Sequence, residues 1–183
     1  TGSTTPAFAT GDPELAWELQ LRLPGIQVRP ANGPNYQLNK VTSPGDVITL
    51  ANPVTAVARR LGLIGARSAT KFVPDLYLYN SHRVRLAVLQ GLLDTDGGPV
   101  TQKDRTCRIQ YTTTSPRLRD DVIFLVRSLG GVAHTRTRPG HDAYIIDIRL
   151  PEGIEPFRLT RKRDAYNTAG GGRPMRFIES IEP

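Results

Sequence analysis

A chain of 183 residues with 24 Lys and Arg against 17 Asp and Glu carries a formal charge of +7, and its sequence pI is near 10. Its one cysteine, Cys107, excludes an intrachain disulfide framework and a cysteine-rich zinc site, and no apolar run approaches the roughly 20 residues of a transmembrane helix. The basic balance favours a polyanionic partner, nucleic acid first and an anionic membrane surface second; with no visible signal peptide, an intracellular, cytoplasmic location is expected.

Residues 2–10 read as an extended segment anchored by Phe8. Asp12-Pro13-Glu14 is a helix start, with Asp12 as N-cap, Pro13 at the first helical position and Glu14 in the first turn. Leu15, Trp17, Leu19, Leu21 and Leu23 carry this helix to the stop at Pro24-Gly25. Residues 26–29 and 36–42 are two short strands about the turn signal Ala31-Asn32-Gly33-Pro34. Asn52-Pro53 repeats the cap chemistry and opens a helix through Leu61, ended by Gly62. Residues 63–70 form a basic connector of small residues leading to Lys71, and a central helix begins at Ser81. Beyond it, residues 99–102 and 108–113 pair as strands. Ser115-Pro116 caps a helix that runs to Leu129, with Gly130-Gly131 at its end. Residues 132–138 and 143–150 make a second hairpin across Pro139-Gly140. Residues 157–167 read as a strongly basic helix, 169–173 as a glycine-rich loop and 175–181 as a final strand.

The central stretch, SHRVRLAVLQGLLDTDGG over residues 81–98, organises the rest. Val84, Leu86, Ala87, Val88, Leu89, Leu92 and Leu93 surround most of the helix, which predicts burial on more than one face. Ala87, Gly91 and Thr95 stand four apart and form a narrow small-residue stripe open to close approach by another backbone. A glycine inside a helix costs roughly 1 kcal/mol against alanine, so Gly91 calls for such a packing reason. Asp94 and Asp96 stand at the C-terminal end, where the helix dipole disfavours negative charge and stability alone would select Lys or Arg. Two acids there, followed by Gly97 and Gly98, point to a bound cation.

Residues 89–97, LQGLLDTDG, resemble the LAGLIDADG motif of homing endonucleases, and their surroundings resemble the dodecapeptide (DOD-type) endonuclease domain found inside inteins. Lys71-Phe72-Val73-Pro74 matches a Lys-x-Ile-Pro block of that family and lies at the fitting distance, 25 residues from Lys71 to Asp96. Tyr111-Thr112-Thr113-Thr114-Ser115, followed by Leu118, Val122, Leu125, Leu129 and Gly130, resembles its strand-then-helix segment. The three ordered blocks cover about two thirds of the chain.

The resemblance implies an α+β fold of two pseudo-symmetric αββαββα halves with antiparallel, saddle-shaped sheets. Residues 1–80 would be the first half, 81–168 the second, and 169–183 a return segment towards a splicing domain. The first half lacks its leading helix, which would end just before Thr1. The chain opens without methionine, as an excised or incompletely represented fragment would, and the terminal splicing residues are not in it. Asp96 is then a catalytic carboxylate and a ligand of Mg²⁺, with the Thr95 carbonyl as a further ligand, while Asp94 is structural and accepts hydrogen bonds near the helix end. Lys71 would position the attacking water or offset phosphate charge. Lys162 and Arg173 are the candidates for its counterpart in the second half, although Arg161-Lys162-Arg163 reads equally as a phosphate patch or a solvated helical turn. Ala87 and Gly91 form the seam between the two LAGLIDADG helices, filled by a missing N-terminal segment or by a second copy in a homodimer.

The hairpins are the expected surface for double-stranded DNA, with Arg105, Arg108, Gln110, His134, Arg136, Arg138, Arg149 and Arg173 on or beside them. Arg136 and Arg138 lie two apart and project from one strand face, away from Thr135 and Thr137. No membrane partner is expected. His82, His134 and His141 lack zinc-ligand spacing with Cys107, so no structural zinc is expected. Gly170-Gly171-Gly172 is not a phosphate-binding P-loop. The function implied is sequence-specific double-strand cleavage, with the host splicing domain as a partner in cis. The alternatives are a degenerate, non-catalytic DNA-binding module and an RNA maturase.

Overall fold

The computed structural model describes residues 5–42, 52–102, 105–138 and 140–166. Contacts divide the chain into two units that part between Ala66 and Arg67. The first contains strand β1 (Ala7–Ala9), helix α1 (Pro13–Arg22), strands β2 (Ile26–Pro30) and β3 (Asn35–Lys40), and helix α2 (Pro53–Arg60). The strands form an antiparallel sheet in the order β1-β3-β2. Phe8 anchors β1 by stacking on Tyr36 of β3, with ring centroids 5.3 Å apart. Gln20 ties α1 to β2: its amide nitrogen donates to the Ile26 carbonyl (2.9 Å) and its oxygen accepts from the Val28 N–H (2.8 Å). Asn52 caps α2 by accepting from the Val54 N–H (3.0 Å) and donates its amide to the Leu38 carbonyl (2.6 Å).

The second unit opens with a 3-10 turn at Ser68–Thr70 and a short helix, α3 (Asp75–Leu78). There follow α4 (His82–Asp96), β4 (Gly97–Gln102), β5 (Arg105–Thr113), α5 (Pro116–Ser128), β6 (Val132–Arg138), β7 (His141–Arg149) and α6 (Thr160–Ala165). From α4 onwards the order is αββαββα, as expected. The sheet order is β4-β5-β7-β6, antiparallel throughout.

Alternation along the strands divides this sheet into two faces. Ile109 and Tyr111 of β5 and Ile146 and Ile148 of β7 face the core, where they meet Leu89 and Leu93 of α4 and Val122, Leu125 and Val126 of α5. Each such side chain, fully removed from water, contributes about 1.5–3 kcal/mol. The residues between them, Arg108, Gln110, Thr112, Ile145, Asp147 and Arg149, occupy the opposite face, joined from β6 by His134, partnered with Asp147, and Arg136, partnered with Ile145.

The observed elements correct several expectations. The helix read over residues 157–167 is confined to Thr160–Ala165. Phe157 and Leu159 are fully buried, so residues before Thr160 run as an apolar strap over α4 rather than as a solvated basic helix. Helix α4 is buried on one side only: Leu89, Leu93 and Asp94 are covered, while Gly91, Thr95 and Asp96 are exposed. A side chain built at Gly91 would meet nothing within 4 Å, so no described neighbour supplies the packing reason that this glycine calls for. The glycine-rich loop, Arg173 and the final strand lie outside the described residues.

Candidate active-site turn and nucleic-acid interface

Helix α4 ends because the chain turns directly into β4 at Gly97, whose N–H still bonds back to the Leu93 carbonyl. The turn is tight. A β-carbon at Gly97 would lie 2.9 Å from both the Cα and Cδ2 of Leu93, so only glycine fits without displacing the helix. The cation missing from the last turn of the helix comes from 65 residues away. Lys162 of α6, 4% exposed, donates its ammonium to the carbonyls of Leu93 (2.9 Å), Asp94 (2.6 Å) and Gly97 (2.6 Å). It offsets the negative pole of α4, adding a second donor to the Leu93 carbonyl, which already holds the Gly97 N–H, and supplying a donor to the Asp94 and Gly97 carbonyls.

Lys162, the expected counterpart of Lys71, is buried with its ammonium against the backbone at the end of α4. Its ammonium donates to three backbone acceptors, the arrangement of a clamp. The 161–163 run is not a uniform basic patch, because Arg161 and Arg163 are exposed while Lys162 is buried.

Asp94 and Asp96 separate cleanly. Asp94 is buried, and its carboxylate accepts from the backbone N–H of Arg158 (3.2 and 3.1 Å) and of Leu159 (3.3 Å). Burial pushes its carboxyl above the usual aspartate range, against the opposing pull of those two N–H groups and the nearby charges of Lys162 and Arg158. It is a structural acceptor, as expected. Asp96 is exposed at the last helical position. The Thr95 hydroxyl folds back onto its own helix, donating to the carbonyls of Gly91 (3.1 Å) and Leu92 (3.0 Å). Tyr111 lies under this turn, paired across the ladder with Gly97. Burial, and then the charge of Asp96, raise its phenol well above the ordinary tyrosine range, so it stays protonated.

Lys71 projects an exposed side chain from a pinned backbone. The buried Ser115 hydroxyl donates to the Lys71 carbonyl (2.6 Å) while accepting from the Leu118 N–H (3.1 Å), so one oxygen caps α5 and holds the Lys71 segment. Two residues on, the Val73 N–H donates to the buried carboxylate of Asp121 (2.7 Å). Burial raises the Asp121 carboxyl, with the Val73 N–H and the charge of Arg117 opposing.

The outer face of the sheet gathers Arg108, Gln110, His134, Arg136 and Arg149, five of the eight residues expected to read DNA. Arg105 and Arg138 sit at the first position of β5 and the last of β6, where the ladder shifts register, and Arg173 is outside the described residues. One residue of this face escaped sequence reasoning. Asp147 of β7 accepts from Gln110 Nε2 (2.9 Å) and Arg136 Nε (3.0 Å), and Arg108 Nε lies 3.5 Å away as an ion pair. Burial alone would raise its carboxyl; the hydrogen bonds from Gln110 and Arg136 and the charges of Arg108 and Arg136 outweigh it and hold the group below the ordinary aspartate value. Flanking Ile146 and Ile148 could have placed Asp147 on the outer face, but its three partners depend on cross-strand register.

Residues 83–160 match the model of the LAGLIDADG-like domain. Among curated relatives, the replicative DNA helicase DnaB of Mycobacterium intracellulare is 34% identical over 143 residues, covering 73% of this chain and 24% of that protein. A DNA polymerase of Thermococcus kodakarensis is 27% identical over 57% of this chain and 6% of its own length. A DNA gyrase subunit of Mycobacterium leprae is 36% identical over 41% of this chain and 6% of its own length. The chain thus spans about a quarter or less of the curated relatives it matches. Among solved structures, mesophilic variants of the homing endonuclease I-DmoI align over 80% of this chain and 68% of theirs at 13% identity, TM-score 0.45. I-DmoI in complex with DNA and Mn aligns over 79% and 72% at 15% identity, TM-score 0.44.

Proposed function

We propose that this chain is the endonuclease domain of an intein, which binds double-stranded DNA sequence-specifically and cleaves both strands with Mg²⁺. The observation that carries the proposal is one unit holding an exposed Asp96 on a clamped turn and a sheet face bearing Arg108, Gln110, His134, Arg136 and Arg149. The sheet supplies recognition. A β-ribbon fits the major groove, where Arg and Gln contact base edges, while other basic residues contact phosphates and set register.

The turn supplies the chemistry. The Asp96 carboxylate and the Thr95 carbonyl are hard oxygen donors, suited to magnesium, which takes few protein ligands and keeps waters and phosphate oxygens. When bound, such an ion activates water for in-line attack and stabilises the leaving oxygen. No three His, Cys, Asp or Glu side chains converge among the described residues. A second carboxylate, from a helix packed on the stripe of half-buried Ala87 and exposed Gly91 and Thr95, completes the site; it comes from a preceding segment or from a second copy of the chain. Lys71 orients the attacking water or offsets phosphate charge. The intein context is supported by the matches themselves: a helicase, a polymerase and a gyrase component share with this chain only a small part of their length. A segment common to otherwise different proteins is what an inserted element leaves.

A second reading, a DNA-binding module without cleavage, is favoured by that same small ligand set. The test is a supercoiled plasmid carrying the uninterrupted host-gene junction, incubated with the parent protein and Mg²⁺. Linear product is expected. Retention of the plasmid without cutting removes the enzyme reading in favour of the binding module.

A further inference from the structure

Among the described residues, Asp147 is the one acidic side chain placed with the basic and amide groups of the outer sheet face. If this face only attracted phosphate, a carboxylate at its centre would weaken it. The geometry gives it another use. Asp147 lies on an inner strand, directly partnered with Gln110 on β5 and His134 on β6. One of its oxygens takes the Gln110 amide and the other takes Arg136 Nε, while Arg108 Nε approaches the first. Arg136 is therefore hydrogen-bonded through Nε, while the buried Arg108 Nε faces the same carboxylate as an ion pair without a hydrogen bond. The remaining Nη groups of both arginines are the paired donors that match guanine O6 and N7 in the major groove. A guanidinium fixed at Nε is pre-oriented for that contact and loses less freedom on binding than a mobile one. Its charge is also partly neutralised, which lowers its attraction for phosphates of any sequence.

We propose that Asp147 is a specificity-determining residue: it orients Arg108 and Arg136 towards guanines in the duplex and restrains both from sequence-independent phosphate contacts. This rests on the reading of the sheet as a DNA-binding face, and its substrate class is duplex DNA with guanine at the two positions facing these arginines.

The experiment selects duplexes from a randomised-sequence pool with the wild-type chain and with Asp147→Asn, which preserves shape and removes charge. In parallel, the salt dependence of binding is measured on a fixed duplex containing only A·T pairs. The wild type enriches guanine at two positions by roughly 5- to 150-fold each, the range of one bidentate base contact. Asp147→Asn reduces that enrichment to near parity, binds the A·T duplex more tightly, and steepens its salt slope by roughly 1 to 2, since up to two further phosphates are neutralised. Unchanged guanine enrichment and salt slope in a folded Asp147→Asn overturn the proposal and leave the DNA-binding reading standing. A wild-type chain that binds no duplex overturns both. Should Asp147→Asn lose the native circular dichroism spectrum, Arg108→Gln and Arg136→Gln decide the matter: each removes the guanine preference at one position if the arginines are oriented readers. Each weakens all sequences equally if they are phosphate contacts, and that result sinks the proposal.

Discussion

Replacing Lys162 with methionine keeps the length of the stem and deletes the ammonium that holds the end of α4. Three acceptors lose a charged donor, the carbonyls of Leu93, Asp94 and Gly97 at 2.9, 2.6 and 2.6 Å, of which Leu93 keeps the Gly97 N–H. A hydrogen bond from a charged donor is worth about 1.5–3 kcal/mol net, which sets a gross loss of roughly 4.5–9 kcal/mol. Against this, methionine avoids the several kcal/mol that burying an ammonium costs. Asp94 keeps its backbone donors and the nearby charge of Arg158, while each buried acceptor left unsatisfied costs about 1–3 kcal/mol. For the Asp94 and Gly97 carbonyls together the expected loss is therefore about 2–6 kcal/mol, a large share of the roughly 5–15 kcal/mol typical of a domain. Urea denaturation followed by far-ultraviolet circular dichroism measures the total. Amide hydrogen exchange at Gly97, whose N–H bonds to the Leu93 carbonyl, reports the turn itself and should accelerate. A loss under about 1 kcal/mol with unchanged exchange at Gly97 would mean that water replaces the ammonium, and the clamp would be refuted.

Gly97→Ala forces a β-carbon to within 2.9 Å of Leu93 backbone and side chain, and overpacking of this kind costs about 1–3 kcal/mol; an unchanged melting temperature would show that the turn relaxes freely. Ser115→Ala removes one oxygen serving both the α5 cap and the Lys71 carbonyl, for an expected loss of about 1–2 kcal/mol, read from the denaturation midpoint. The acid limb of stability should separate Asp147 from Asp94. Asp147 titrates below its ordinary value in the folded chain, so its contribution is full above the unfolded value of about 3.9 and is lost as pH falls through the folded value. The stability difference between wild type and Asp147→Asn should thus be constant above about pH 5 and shrink below pH 3.9. Asp94, raised by burial, carries the opposite sign: the native state holds its proton more tightly, so stability attributable to this group rises as pH falls through its folded value. Carboxyl-resolved NMR titration checks both directions.

Features set by a few adjacent residues were legible in the sequence. Ser115-Pro116 predicted the start of α5, and the observed helix begins at Pro116 with the Ser115 hydroxyl on the Leu118 N–H. Asn52-Pro53 did the same for α2. The order of helices and strands after Ser81 followed from the change between helical and alternating periods. What escaped depends on partners distant in the chain. Nothing near Lys162 announces that it reaches carbonyls 65 to 69 positions earlier. Residues 157–159 looked helical because local propensity does not register that Asp94 claims two of their N–H groups while Phe157 and Leu159 enter the core. The short helix α3 was missed because its four residues carry too little period to see. Asp96 stood out by its charge at the wrong end of a helix, whereas Lys71 stood out only through the resemblance, since an exposed lysine has no local pattern of its own.

The most direct test compares the parent protein carrying this chain with its Asp96→Asn variant on the plasmid bearing the uninterrupted host junction, with Mg²⁺ present, scoring both linear product and binding by mobility shift. Linear product from the wild type, none from Asp96→Asn, and equal retention of DNA by the two are expected. Cleavage by Asp96→Asn at the wild-type rate contradicts the assignment of this turn as the active site.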